Sequence, residues 1–216
     1  MKPDAAPDAA ETEAFLNSQT VPGWMTEAES RELYRLAAGL PNTNPVCCEI
    51  GTWIGKSAVL ISTAMKHKVN AKLYCVDPFD LVATEPWHEE TFTAQMGLPL
   101  LSRKATFLRT LHVHGVSHIA SPIQGFSQDS AAAFGHELDL LFIDGDHSYQ
   151  SVLRDYQAWS PKLKPGGILC FHDYHPPEHA TPHDGPRRVV HEHIVGNPQW
   201  ARQRRTEKLY VAVKVK

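Results

Sequence analysis

The sequence predicts an α/β domain built on a doubly wound, mostly parallel sheet, and three observations lead there. Short, nearly continuous apolar runs recur at Val46–Ile50, Leu73–Val76, Ile119–Ile123, Leu140–Ile143 and Ile168–Phe171, as strands do when both faces of a sheet are covered. Helical periodicity fills the intervals between them, the alternation that makes parallel sheets. Glycine and acidic residues collect just after the runs, outside the carboxyl ends where such sheets bind ligands.

Taken in order, residues 1–24 are expected to form a partly mobile N-terminal tail, and residues 25–216 one domain. Met1–Thr20 is rich in Ala, Pro and Glu and lacks the apolar core of a secretory signal. Thr26 followed by Glu29 is a capping box that opens a helix to about Leu40. Pro41 and Pro45 then break the chain before the first strand. Gly55–His67 is helical, with Ile54, Ala58, Ile61 and Met65 on one face. Residues 80–115 read as irregular, then helical around Thr106–His114. Ser127–Phe134 makes a short helix, and Ser148–Leu163 a longer one with Val152, Tyr156, Trp159 and Leu163 as its stripe. Pro165-Gly166-Gly167 is a turn, and a helix near Pro186–Val195 follows. Trp200–Arg204 and Leu209–Val215 close the chain as a hairpin.

Composition narrows the function. The 216 residues are 42% hydrophobic and carry a formal net charge of −3, which gives no electrostatic case for a nucleic-acid or membrane partner. No apolar run approaches the ~20 residues of a membrane span. The four cysteines, Cys47, Cys48, Cys75 and Cys170, lie in apolar runs with no C-x-x-C pair, as expected of free thiols in a reducing cytoplasm. A homo-oligomer is left open.

The loop after the first strand reads Glu49-Ile50-Gly51-Thr52-Trp53-Ile54-Gly55-Lys56-Ser57. Glycines here let backbone approach a ligand closely. Gly51-x-x-x-Gly55-Lys56-Ser57 is one residue short of the phosphate-binding loop, and Leu140–Asp144 resembles the strand that holds Mg²⁺ in nucleoside triphosphatases. The shorter loop shrinks the amide nest. Glu49 would also repel a polyphosphate but suits a sulfonium cofactor with an amino group. Asp77, closing the second strand, is placed to accept from ribose hydroxyls, which also fits NAD, although G-x-G-x-x-G is absent.

The glycine loop, Asp77, the run Phe142-Ile143-Asp144-Gly145-Asp146-His147-Ser148-Tyr149 and the run from Leu163-Lys164-Pro165-Gly166-Gly167 to Phe171-His172-Asp173-Tyr174 together resemble a class I S-adenosylmethionine-dependent methyltransferase. The resemblance covers about residues 25–216 and is closest to the small-molecule O-methyltransferase group of catechol and sugar enzymes. It implies a Rossmann-like seven-stranded sheet whose last strand is antiparallel. It implies that Gly51 with its neighbours Thr52, Gly55 and Ser57 contacts the methionine part, that Asp77 contacts the ribose, and that Phe126 and Ser127 lie at the adenine.

Asp144, Asp146 and His147 follow the fourth strand, and His172 and Asp173 follow the fifth, 28 and 29 residues after Asp144 (172 − 144 and 173 − 144). One helix and one return strand fit in that interval, so these groups share a rim. Oxygen donors with an imidazole suit Mg²⁺ or Mn²⁺. The resemblance implies a divalent ion on Asp144 and Asp173, with His172 standing where the family usually has Asp or Glu. A blander reading has Asp144 and Asp173 capping helices and bracing the cofactor. His147 matches a base histidine of some sugar methyltransferases, with Asp146 the next group to consider. His175 and His179 belong to a proline-rich loop, His172–His183, expected to cover the acceptor. Phe79–Met96, with Trp87, His88, Glu89 and Glu90, is the candidate acceptor pocket for a small molecule. The sequence-level conclusion is O-methylation of a small hydroxylated metabolite. The alternatives are a phosphate-loop nucleotide-binding protein and a non-catalytic S-adenosylmethionine-binding domain.

Overall fold

The computed structural model describes residues 8–176 and 184–216. Seven strands form one sheet: β1 Val46–Ile50, β2 Lys72–Asp77, β3 Ala120–Gln124, β4 Leu138–Ile143, β5 Leu163–Phe171, β6 Trp200–Thr206 and β7 Leu209–Lys214. Their order is β3-β2-β1-β4-β5-β7-β6. β1 pairs in parallel with β2 and β4, and the β2–β3 and β4–β5 pairs are parallel too. β7 runs antiparallel to both β5 and β6, so only the last strand opposes the rest, as the resemblance implied.

Among the described residues eight α-helices cover the faces: α1 Ala9–Ser18, α2 Glu27–Ala38, α3 Lys56–Ala64, α4 Pro86–Met96, α5 Arg103–Val113, α6 Ser127–Ala133, α7 Tyr149–Trp159 and α8 Gly185–His193. Alternate side chains of each strand enter opposite cores. Cys47, Leu140 and Phe142 pack with α2, α3 and α5. Cys48, Leu141 and Ile143 pack with α6, α7 and α8. Every residue of β4 is buried, which is why its sequence is apolar without alternation. All four cysteines are buried free thiols.

Three elements depart from expectation. The supposed tail is helical from Ala9: Asp8 caps α1, and the buried Glu11 carboxylate binds Arg31 and Arg35 of α2. Met1–Pro7 lie outside the described residues. α4 occupies part of the segment expected to be irregular, with Pro86 in its first turn. Pro165-Gly166-Gly167 does not precede β5 but lies within it, where pairing jumps from Leu138↔Leu163 to Leu140↔Ile168.

The strand order reverses direction between β1 and β4. Their carboxyl ends meet there, with Asp144 N–H donating to the Ile50 carbonyl at 2.8 Å, while Gly51 N–H ties the end of β1 to β2 through the Val76 carbonyl at 2.9 Å. This switch point is where a ligand of such a sheet sits.

Candidate active site

The β1–α3 loop is held from below. Gly51 has φ +80°, and a Cβ there would overlap the Asp144 carbonyl oxygen and lie 2.5 Å from Gly145 Cα. The glycine therefore serves the crossing of two protein loops as well as any ligand. Gly55, at φ +97°, begins α3 in the left-handed conformation. Asp77 braces the loop: one carboxylate oxygen accepts from Thr52 N–H at 3.1 Å and Trp53 N–H at 3.0 Å, the other from Phe79 N–H at 2.6 Å. Burial raises its pKa, and these backbone donors partly offset that. A carboxylate offers about four acceptor sites, so three bonds leave room for one ribose hydroxyl.

Glu49 is fully buried and turned inward, accepting from Thr52 Oγ1 at 2.7 Å and from the Ser57 hydroxyl. Burial pushes its carboxyl up to about 7, against the two hydroxyls. It shapes the loop rather than presenting a free oxygen to an amino group, and it takes the Ser57 side chain with it. Lys56 is buried too and donates to the Val21 carbonyl at 3.1 Å. Both side chains that a phosphate loop would turn to its nucleotide are thus occupied, which removes the ground for that alternative.

Past β3, Phe126 is half exposed and precedes α6. Ser127 Oγ accepts from Trp159 Nε1 at 2.8 Å. Beneath them Asp155, buried on α7, accepts from Gln128 Nε2 at 2.8 Å. Burial raises its carboxyl to about 6 despite a Ser127 hydrogen bond.

The β4 and β5 loops bring Asp144, His147 and Asp173 together, with one donor atom from each within 4.8 Å of the others. His147 Nε2 lies 3.3 Å from Asp173 Oδ2 and 4.0 Å from Asp144 Oδ1. His172 is placed differently from the expected metal ligand. It is 2% exposed, with Nε2 3.3 Å from Glu29 Oε2 and Nδ1 3.0 Å from Asp144 Oδ1 and 3.3 Å from Asp173 Oδ2. Both ring nitrogens therefore face carboxylates, which only accept, so the ring is an imidazolium. Burial opposes that charge, but Asp144 and the hydrogen bonds to Asp173 and Glu29 outweigh it and raise the pKa well above the usual value. Burial likewise opposes the Glu29 charge, and His172 with the Thr26 and Lys208 amides still brings its carboxyl down to about 2. Asp173 is held low by His172 against the same burial, and Lys208 Nζ sits 3.1 Å from its Oδ1. Asp146 is exposed, and its Oδ1 accepts from Ser148 N–H at 2.6 Å in the turn before α7. His179 and the rest of residues 177–183 lie outside the described residues.

The methyltransferase-domain family model matches residues 48–174, more than half of the chain, from β1 through the rim. The chain belongs to this family. In sequence it is 30% identical over 131 residues to protein R132 of Acanthamoeba polyphaga mimivirus, an alignment covering 58% of the chain and 50% of that protein. It thus spans about half the length of that curated relative. In structure, an O-methyltransferase from Bacillus cereus in complex with SAH matches with TM-score 0.63 at 14% identity, covering 98% of this chain and 92% of that one. TomG, an O-methyltransferase from Streptomyces achromogenes in complex with SAM, matches with TM-score 0.62 at 16% identity over the same shares, 98% and 92%. These likenesses show a class I methyltransferase fold.

Within this methyltransferase-family domain, sequence reasoning missed Glu29, Asp155 and Lys208. Glu29 was explained by its capping box, which does form, and nothing local marks its second partner, His172. Asp155 lies on the buried face of α7, three residues after Val152 and four before Trp159, and an acid set among apolar positions at helical spacing was the signal that could have found it. Lys208 sits in the β6–β7 hairpin without a motif.

Proposed function

We propose that this methyltransferase moves the methyl group of S-adenosylmethionine to a hydroxyl oxygen of a small metabolite. The carrying observation is the Asp144–His147–Asp173 rim set against the β1–α3 loop at the switch point. The cofactor supplies an electrophilic methyl on a sulfonium. The Gly51–Gly55 backbone, including Thr52, would receive its methionine part, the remaining acceptor site of Asp77 a ribose hydroxyl, and Phe126 and Ser127 the adenine. The solved relatives bound to SAM or SAH support this assignment.

His147 is the group we assign to the proton. Its Nε2 lies 3.3 Å from the Asp173 carboxylate, which only accepts, so Nε2 carries the hydrogen of the neutral ring; the ring is partly exposed, and Nδ1 is left to take the acceptor's hydroxyl proton as the oxygen displaces sulfur from the methyl carbon. Asp144 and Asp173 stabilise the resulting imidazolium. Alignment of oxygen, carbon and sulfur supplies most of the remaining acceleration.

A second reading is favoured by the donor spacing. Two carboxylates and an imidazole fit Mn²⁺ or Mg²⁺, and Asp144, Asp173 and His147, rather than His172, would hold it. Such an ion supplies Lewis acidity to the acceptor oxygen. His147→Ala, assayed against wild type after exhaustive chelation of divalent ions, decides the first reading: turnover should fall by ~10²-fold or more while calorimetric affinity for S-adenosylhomocysteine stays the same. Unchanged turnover would refute the base.

A further inference from the structure

Beside the β1–α3 loop lies an aromatic cluster drawn from three separate segments. Trp24 comes from the α1–α2 connector, Trp53 from the β1–α3 loop, and Trp87 and His88 from α4. Trp24 stands 4.7 Å from Trp53 and 4.9 Å from Trp87, centroid to centroid, and His88 stacks 5.3 Å from Trp53. Trp24 and Trp87 remain 40% and 48% exposed. Indole rings grouped yet left in water mark a binding surface more than a core.

The cluster joins the site through Trp53. Trp53 lies in the loop braced by Asp77, and its backbone is left-handed at φ +46°, a strain kept where the surroundings require it. His88 is held neutral: burial lowers its pKa to about 4, aided by the charges of Arg103 and then of His147.

Two buried polar atoms in the cluster have no hydrogen-bond partner among the described residues, Trp53 Nε1 and His88 Nδ1. Leaving such atoms unpaired is costly, and a ligand oxygen would satisfy the indole N–H. Two polar atoms among four rings are too few for a sugar, whose several hydroxyls would be stripped of water without replacement. The positive charge of Arg103 beside His88 also disfavours a cation, the other ligand that aromatic rings select.

We propose that Trp24, Trp53, Trp87 and His88 form the acceptor-selecting wall of this enzyme, and that they take a flat, oxygen-substituted aromatic ring by stacking. The ring would lie against the indoles with an oxygen on Trp53 Nε1 and its reacting hydroxyl toward His147. This rests on the methyltransferase reading above.

The test uses the full chain saturated with S-adenosylhomocysteine and follows tryptophan fluorescence. The probes are 3,4-dihydroxybenzoate, as the hydroxylated aromatic, and methyl glucoside, as the aliphatic polyol. Saturable quenching by the aromatic probe, and none by the glucoside, is expected. Trp87→Ala should weaken the aromatic probe about tenfold or more, and Trp87→Phe only about threefold, since a smaller ring still stacks. Trp87 is half exposed, so folding should survive, and S-adenosylhomocysteine affinity should hold within about twofold as a check on the cofactor site. Tighter binding of the glucoside, no saturable binding of the aromatic probe, or an unaffected Trp87→Ala would overturn the proposal. If S-adenosylhomocysteine itself does not bind the wild-type chain, the methyltransferase reading fails, which is a separate outcome.

Discussion

Glu49→Gln should abolish a pH dependence of stability that the wild type carries. The Glu49 carboxyl is fully buried and raised from 4.5 to about 7. A raised carboxyl binds its proton more tightly in the native than in the unfolded chain, so its stabilising contribution is complete below pH 4.5 and disappears as pH climbs through 7. A carboxyl raised from 4.5 to about 7 corresponds to about 3 kcal/mol over the whole window, and about 2 kcal/mol of that should be lost between about pH 5.5 and pH 8.5. Glutamine imitates the protonated acid: its oxygen can accept from one of the Thr52 and Ser57 hydroxyls while its amide donates to the other. Urea unfolding of both proteins at the two pH values gives the comparison, with the midpoint difference multiplied by the common slope. The gap between variant and wild type should move in the variant's favour by about 2 kcal/mol at the higher pH. A gap that stays constant across the window would show that Glu49 is ionised throughout, and the burial argument would fail.

Two further substitutions probe the loops. Gly51→Ala forces a side chain at φ +80° into the Asp144–Gly145 backbone and should destabilise the fold by about 3 kcal/mol or more, seen as a lower urea midpoint; a loss under about 1 kcal/mol would mean that the loops separate easily. Asp173→Ala should erase any rise in melting temperature on adding Mn²⁺ while leaving the rise with S-adenosylhomocysteine, because only ligands of the native state raise it; an undiminished Mn²⁺ response would place the ion elsewhere.

The sheet was legible because its central strands are buried on both sides. β1 matches the expected Val46–Ile50 to the residue, and β4 differs only by two residues at its start. α1 was illegible for the opposite reason. Its sequence is short and Ala-rich with little amphipathic signal, and its anchor is tertiary, the pairing of Glu11 with Arg31 and Arg35. Spacing brought Asp144, His172 and Asp173 to one rim correctly in outline, but it could not say which way each would face. Successive residues at a strand end point in opposite directions. His172, the first residue past β5, turns into the core toward Glu29, and Asp173, at φ +51°, turns toward His147. Choosing between the two histidines required knowing that α2 supplies a buried acid, which no local pattern reveals.

The same crossing that demands Gly51 also couples cofactor loop and rim. Asp144 contributes its amide to Ile50, its carbonyl to the contact with Gly51, and its side chain to His172. His172 is fixed by Glu29, whose other oxygen holds the Lys208 amide at 2.8 Å. A change in the β1–α3 loop therefore reaches the rim through backbone rather than through a flexible side chain, and a change in α2 reaches it through one buried imidazolium. Rigid links of this kind would keep the proposed base within the ~0.5 Å that a productive catalytic geometry tolerates. They also explain why the acid at position 29 sits at the N-terminal turn of α2, where helix-end amides and the capping threonine already favour its charge. The helix start thus supplies a carboxylate that stays ionised while buried, which His172 needs in order to hold its own charge beside Asp144 and Asp173.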